Sequence, residues 1–242
     1  MLQALIEASK TPQERSYTMG FLCHYATDCV LHPYVVMITK QGQLYGMPGG
    51  HGYFEIGLDS WLNKQDNGTG VVTADDNTPK LSEESLDAAA NLLQVAIQKT
   101  LGIQLSKQAL TDTFAHTRLL RSMVVSRCKL KYILFWLVEP LFGKRGFITG
   151  HVTPAKLKTP GHGVDGLPTQ WVNPFTGQQC QQSILDLLDE AARRSAAYML
   201  AAQGYWDGKL DIHKVMELVG SNNYLSGLPD AQSAPDFCPT NP

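Results

Sequence analysis

Two pairs of metal-binding residue types recur at one spacing early in the chain: His24-x3-Asp28 and His51-x3-Glu55. On a helix, positions i and i+4 lie about 40° apart on one face. Each pair therefore aims an imidazole and a carboxylate at one point, provided that both stretches are helical. That donor mix suits Zn²⁺ or another borderline divalent ion. His32 lies two turns beyond His24, offset by about 80°. Pro33 follows it and disfavours right-handed helical geometry in the residue before it. The sequence therefore predicts that the helix ends at His32, with its imidazole placed to reach a second ion. Phe21, Leu22, Tyr25 and Val30 surround His24 and Asp28 and predict a largely buried face, where a lone carboxylate is costly. The plainer reading of either pair is a solvated i,i+4 contact, and of all five residues together a buried polar network.

The order H-x3-D, a downstream His, then H-x3-E resembles the zinc-dependent phospholipase C family and, in similar form, the related S1/P1-type nucleases. The run G-F-L-C-H-Y-A-T-D-C-V-L-H-P-Y looks like a bacterial branch of phospholipase C-like proteins. The resemblance is strong over residues 16–62, with weaker echoes in Trp171–Gly177 and Ser221–Leu228. It implies an all-α fold, a single multi-helical domain with long loops of the phospholipase C/P1 nuclease-like kind. It also implies a zinc cluster that hydrolyses a phosphoester, such as a phospholipid, with metal-activated water. By resemblance, His24 and Asp28 are ligands of one zinc pair, with Asp28 as the bridge and hence the catalytic residue. By the same resemblance, His32, His51 and Glu55 hold the third zinc. Family members carry further ligands on a segment before the H-x3-D helix. Here 23 residues precede His24, and Met1–Arg15 contains neither His nor Asp. The expectation is a chain lacking the family's N-terminal part and holding one or two zinc ions. A metal-binding but catalytically inactive helical domain and a non-enzymatic helical interaction module are the competing expectations.

The remaining features narrow the function classes. A net charge of −2 with 17% charged residues favours neither a nucleic-acid nor an anionic-membrane partner. The most apolar run, Tyr132–Phe142, is too short to span a bilayer and carries Glu139. No basic segment opens the chain as in a signal peptide, so a cytoplasmic location is expected, or secretion if an upstream signal is missing. The five cysteines are scattered and odd in number, which predicts reduced thiols. Cys23 and Cys29 read as small core residues beside the ligand helix.

Helices are expected over Leu2–Ser9, from Pro12 to about Leu31, from His51 to Leu62, over Glu83–Leu101, Thr111–Arg127, Leu130–Phe142, Gln181–Gln203 and Leu210–Leu218. Val35–Leu44 is expected to be extended or irregular, and Asn63–Lys80 and Gly143–Trp171 to be loops. One helical domain over residues 1–220 and an irregular tail over 221–242 follow. His116, His151 and His162 are further candidates for the metal or substrate side. Arg118, Arg121, Arg127, Lys129 and Lys131 form a basic cluster, read as a phosphate site or a solvated face. Gly46-x-x-Gly49-Gly50 lacks the Lys-Ser/Thr of a P-loop, and no G-x-S-x-G occurs.

Overall fold

The computed structural model describes residues 1–229, so most of the expected tail, residues 230–242, lies outside the described residues. Among the described residues are nine α-helices and one short hairpin, and the fold is all-α as expected. The helices are α1 (Leu2–Ala8), α2 (Pro12–Thr39), α3 (Gly50–Asn67), α4 (Ala74–Asn77), α5 (Glu83–Leu101), α6 (Lys107–Met123), α7 (Leu130–Phe142), α8 (Ile184–Trp206) and α9 (Ile212–Val219). Strands β1 (Trp171–Val172) and β2 (Gln179–Cys180) pair antiparallel. Among the described residues no helix is long and apolar enough to cross a membrane. The chain forms two compact units, with the division falling within α2 between Leu31 and His32.

The first unit comprises Met1–Leu31, Lys80–His116 and the described chain from Leu185 on. Its core joins Leu2 and Ile6 of α1, Leu22, Tyr25 and Cys29 of α2, Tyr198 and Ala202 of α8, and Val215 of α9. A satellite cluster packs Ala4 and Leu5 against Leu92 and Ala96 of α5. The start of α2 is a reciprocal capping box. The Glu14 carboxylate accepts from the Lys10 and Thr11 amides at 2.8 and 2.9 Å, and the Glu14 amide donates to Thr11 Oγ1. Burial pushes the Cys29 thiol up to about 11, so it stays protonated and acts as an apolar filler.

The second unit comprises His32–Pro79 and Thr117–Ile184. Here α2 departs from expectation, because it runs through Pro33 to Thr39 rather than ending at His32. Tyr34, Val35, Val36 and Ile38 are all buried, and that apolar burial outweighs the hydrogen bond that proline removes. Tyr34 packs edge-on against Trp171, with ring centroids 5.3 Å apart, and donates its hydroxyl to Pro168 O at 2.9 Å. Residues 35–39, expected to be extended or irregular, are therefore helical, and residues 63–67 extend α3 into the expected loop.

The two segments that weakly resemble the family, Trp171–Gly177 and Ser221–Leu228, share one turn, once in each unit. Asn173 Oδ1 accepts from the amides of Phe175 and Thr176, and Thr176 Oγ1 accepts from Gln178 N. Asn223 Oδ1 likewise accepts from Leu225 and Ser226, and Ser226 Oγ from Leu228 N. The backbone closes identically, with Gly177 N donating to Asn173 O and Gly227 N to Asn223 O. Asn, then Thr or Ser, then Gly at this spacing specifies the turn through side-chain mimicry of a backbone bond. In the first unit the turn lies on α2. A Cβ on Gly227 would stand 2.2 Å from Cys29 O, the carbonyl whose usual helical donor, at position 33, is a proline.

Candidate metal centre

α3 carries the site, and its start is set by a backbone-on-backbone contact. Gly49 adopts a left-handed conformation at the N-cap, with φ 70°. Any Cβ there would lie 2.3 Å from Gly146 O, and one on Gly146 would lie 2.3 Å from Pro48 O. The segment Gly146–His151 is thereby laid against the entry of α3. Glu139 of α7 holds that segment from behind. Its buried carboxylate accepts from the amides of Gly146, Ile148 and Thr149 and from Thr149 Oγ1, at 2.5–3.0 Å. Burial pushes the Glu139 pKa up, but these donors outweigh it and hold the carboxyl below the usual range. Gly49→Ala combines left-handed strain with a backbone collision. It is expected to destabilise the protein by roughly 2–5 kcal/mol in denaturant titration, and a loss below about 1 kcal/mol would mean that the contact is loose.

On the turns that follow, Phe54, Ile56 and Leu58 are buried while His51 and Glu55 stay about half exposed. His51 Nε2 lies 2.9 Å from Glu55 Oε1, and His32 Nε2 lies 3.7 Å from the same oxygen. The rings of His32 and His51 are 5.5 Å apart. One ligand atom from each of His32, His51 and Glu55 falls within 4.8 Å of the others, the one such group of His, Cys, Asp or Glu among the described residues. Burial raises the Glu55 pKa, but hydrogen bonds from His32 and His51 and their charge reverse this and hold it at about 2. The carboxylate is therefore ionised at any working pH. Two imidazoles and one ionised carboxylate converging at a half-open position fit a three-ligand zinc site.

His32 reaches this group from within the helix rather than from its end. His24 and Asp28 form a pair of their own in the first unit, with Nε2–Oδ2 3.2 Å. The expected burial of that face does not hold, because the His24 side chain is 67% exposed, although Asp28 is only 16% exposed. Neighbours in sequence part here. Tyr25 turns inward to the core, while His24 turns outward over Tyr224, with ring centroids 6.4 Å apart.

The lesser candidates separate as well. His116 is exposed on α6 and lies outside the cluster. His162 Nδ1 lies 2.9 Å from Leu157 O. The His151 ring lies over Gly52, where a Cβ would stand 2.7 Å from Nε2, so this histidine packs on α3 beside the residue that follows His51. Arg118 of the basic cluster pairs with Asp75 and donates to Thr78 O, which ties it to α4. One residue escaped the sequence reading. Asp59 extends the series His51-x3-Glu55 by another x3 step on the same helix face. Asp59 is exposed, yet the protein around it raises its pKa, by desolvation first and then through the charge of Glu55, with Arg121 opposing. The repeated spacing was the signal that could have found it.

A helical fold with a two-histidine, one-carboxylate centre defines a class of metal-binding protein. Residues 1–107, from α1 to the first residue of α6, match the family described as zinc dependent phospholipase C. The family that the ligand motif resembles is thus the one whose description matches this stretch, 107 of the chain's 242 residues. It is a zinc-dependent family, and His32, His51 and Glu55, which lie close enough together to hold a metal ion, fall within the matched stretch. No curated protein and no solved structure matches the chain.

Proposed function

We propose that the chain is a zinc-dependent phosphoester hydrolase of the phospholipase C kind. The observation that carries this reading is the convergence of His32, His51 and Glu55 inside the stretch that matches the family. When bound, zinc lowers the pKa of water and polarises a phosphoryl oxygen. The three side chains hold the ion, and the half-exposure of His51 and Glu55 leaves a side open to substrate. Asp59, with its raised pKa and its place one turn beyond Glu55, is the candidate to take or return a proton. His24 and Asp28 would hold a further zinc, with Asp28 as the catalytic carboxylate. Their 3.2 Å approach supports a shared ligand role.

The test is metal analysis together with turnover. Protein purified without chelator is expected to carry one to two equivalents of zinc. It is expected to hydrolyse a chromogenic phosphodiester, or a phospholipid to diacylglycerol, in a chelator-sensitive way. Folded protein without metal would overturn the zinc reading. Zinc without turnover of either substrate would select the inactive metal-binding domain instead.

A further inference from the structure

The helix α7 is amphipathic in an inverted sense. Leu130, Ile133, Leu134, Leu137 and Leu141 fall at i, i+3, i+4, i+7 and i+11, one stripe about 100° wide. Such a stripe ordinarily faces a core, yet these five side chains are 54–78% exposed. The opposite face carries Glu139, which is buried and pinned by the amides of Gly146, Ile148 and Thr149. That pinning fixes the rotation of α7 and keeps its leucines outward. An apolar stripe of this extent on a folded surface marks a docking site.

The charge around it says what docks. Residues 117–147 contain seven Lys or Arg, of which Arg118 is paired with Asp75, and a single acidic residue, Glu139, in a chain of net charge −2. Because Glu139 is buried, the acidic group is withdrawn from that surface. Lys129 and Lys131 flank the start of the helix, and Lys144 and Arg145 flank its end, all of them exposed. The Arg145 guanidinium lies 4.0 Å from the ring centroid of Trp136 and donates to Trp136 O at 3.0 Å. An aliphatic stripe with a tryptophan, bounded at both ends by cations, is the pattern of a helix that lies in the interface of an anionic bilayer. Averaging charge over the whole chain conceals this segment, which is why the composition does not favour a membrane surface.

We infer that α7 docks the protein onto an anionic phospholipid surface, with its stripe immersed at the headgroup boundary and its lysines and arginines against the phosphates. The inference lies outside the residues that match the family. It does not rest on the hydrolase reading, because binding is measured without turnover.

The experiment is co-sedimentation of the full chain, in chelator, with vesicles of equal parts phosphatidylcholine and phosphatidylglycerol and with vesicles of phosphatidylcholine alone. Binding is expected to the mixed vesicles, weakened by salt, and to be at least about tenfold weaker on phosphatidylcholine. The triple variant Ile133→Gln, Leu137→Gln, Leu141→Gln is expected to lose at least about tenfold in affinity. Lys129→Gln with Lys131→Gln should lose about fivefold for each charge removed. All five substituted side chains are exposed, so circular dichroism and the melting temperature should stay at the wild-type values. Wild-type protein left in the supernatant overturns the inference, as does undiminished binding by the triple variant. A concentration-dependent dimer in light scattering that the triple variant abolishes also overturns it, because the stripe would then be a self-association face.

Discussion

Glu55→Gln is expected to lower zinc affinity by at least about tenfold, and by about a hundredfold if the carboxylate charge carries most of the binding. Loss of groups that only orient a ligand costs about 10–100-fold, and Glu55 Oε1 is the atom that both His32 Nε2 and His51 Nε2 approach. Glutamine keeps the volume and removes the charge. Competition with a chromophoric chelator reads the effect, with His116→Ala as a control expected to leave affinity unchanged. The pH dependence separates the two ligand types. The Glu55 pKa is depressed to about 2, so in the folded protein the carboxylate stays ionised until pH falls toward that value. Zinc released in mildly acidic solution is therefore not released by protonation of Glu55. Unchanged affinity in Glu55→Gln, or a loss confined to His116→Ala, would mean that the centre lies elsewhere.

What was legible in the sequence follows from the range of the interactions. The i,i+4 spacing placed His51 and Glu55 on one face, and the structure brings Nε2 and Oε1 to 2.9 Å. Helix ends are legible where they are capped locally, as by Thr11 at the start of α2 and by Ser82 and the left-handed Gly102 at the two ends of α5. Pro33 misled for the same reason. Its local penalty was read without the burial of Tyr34, Val35, Val36 and Ile38 that offsets it. Hydropathy likewise gave α7 its bounds but not its orientation. A leucine stripe predicts an inward face, and only the amides that surround Glu139 turn it outward. The repeated Asn turn was not read from the sequence, where its two segments stood out only as weak family echoes, and its hydrogen bonds are local and carry no chemistry of a site.

Glu139→Gln is expected to destabilise the second unit by roughly 2–4 kcal/mol at neutral pH. The carboxylate accepts from three amides and one hydroxyl. Hydrogen bonds to a charged acceptor are worth about 1.5–3 kcal/mol each in isolation, and stranded buried donors add a desolvation cost. The glutamine amide also turns a donor toward donors. The sign of the acid dependence follows from the depressed native pKa. Stability from Glu139 is fully present above the unfolded glutamate value of about 4.3. It is lost as pH falls from there through the lower native value, because the unfolded chain takes up the proton first. Denaturant titrations from neutral pH down to about pH 3 should show this acid loss in the wild type, and the Gln variant should lack its Glu139 component. Hydrogen exchange locates the effect, with the amides of Gly146, Ile148 and Thr149 losing protection first. The same segment lies on Gly49 at the entry to α3, so zinc affinity should fall several-fold as the start of the His51 helix loosens. Equal stability of the two proteins at neutral pH, with identical acid slopes, would show that the amides around Glu139 are satisfied without its charge.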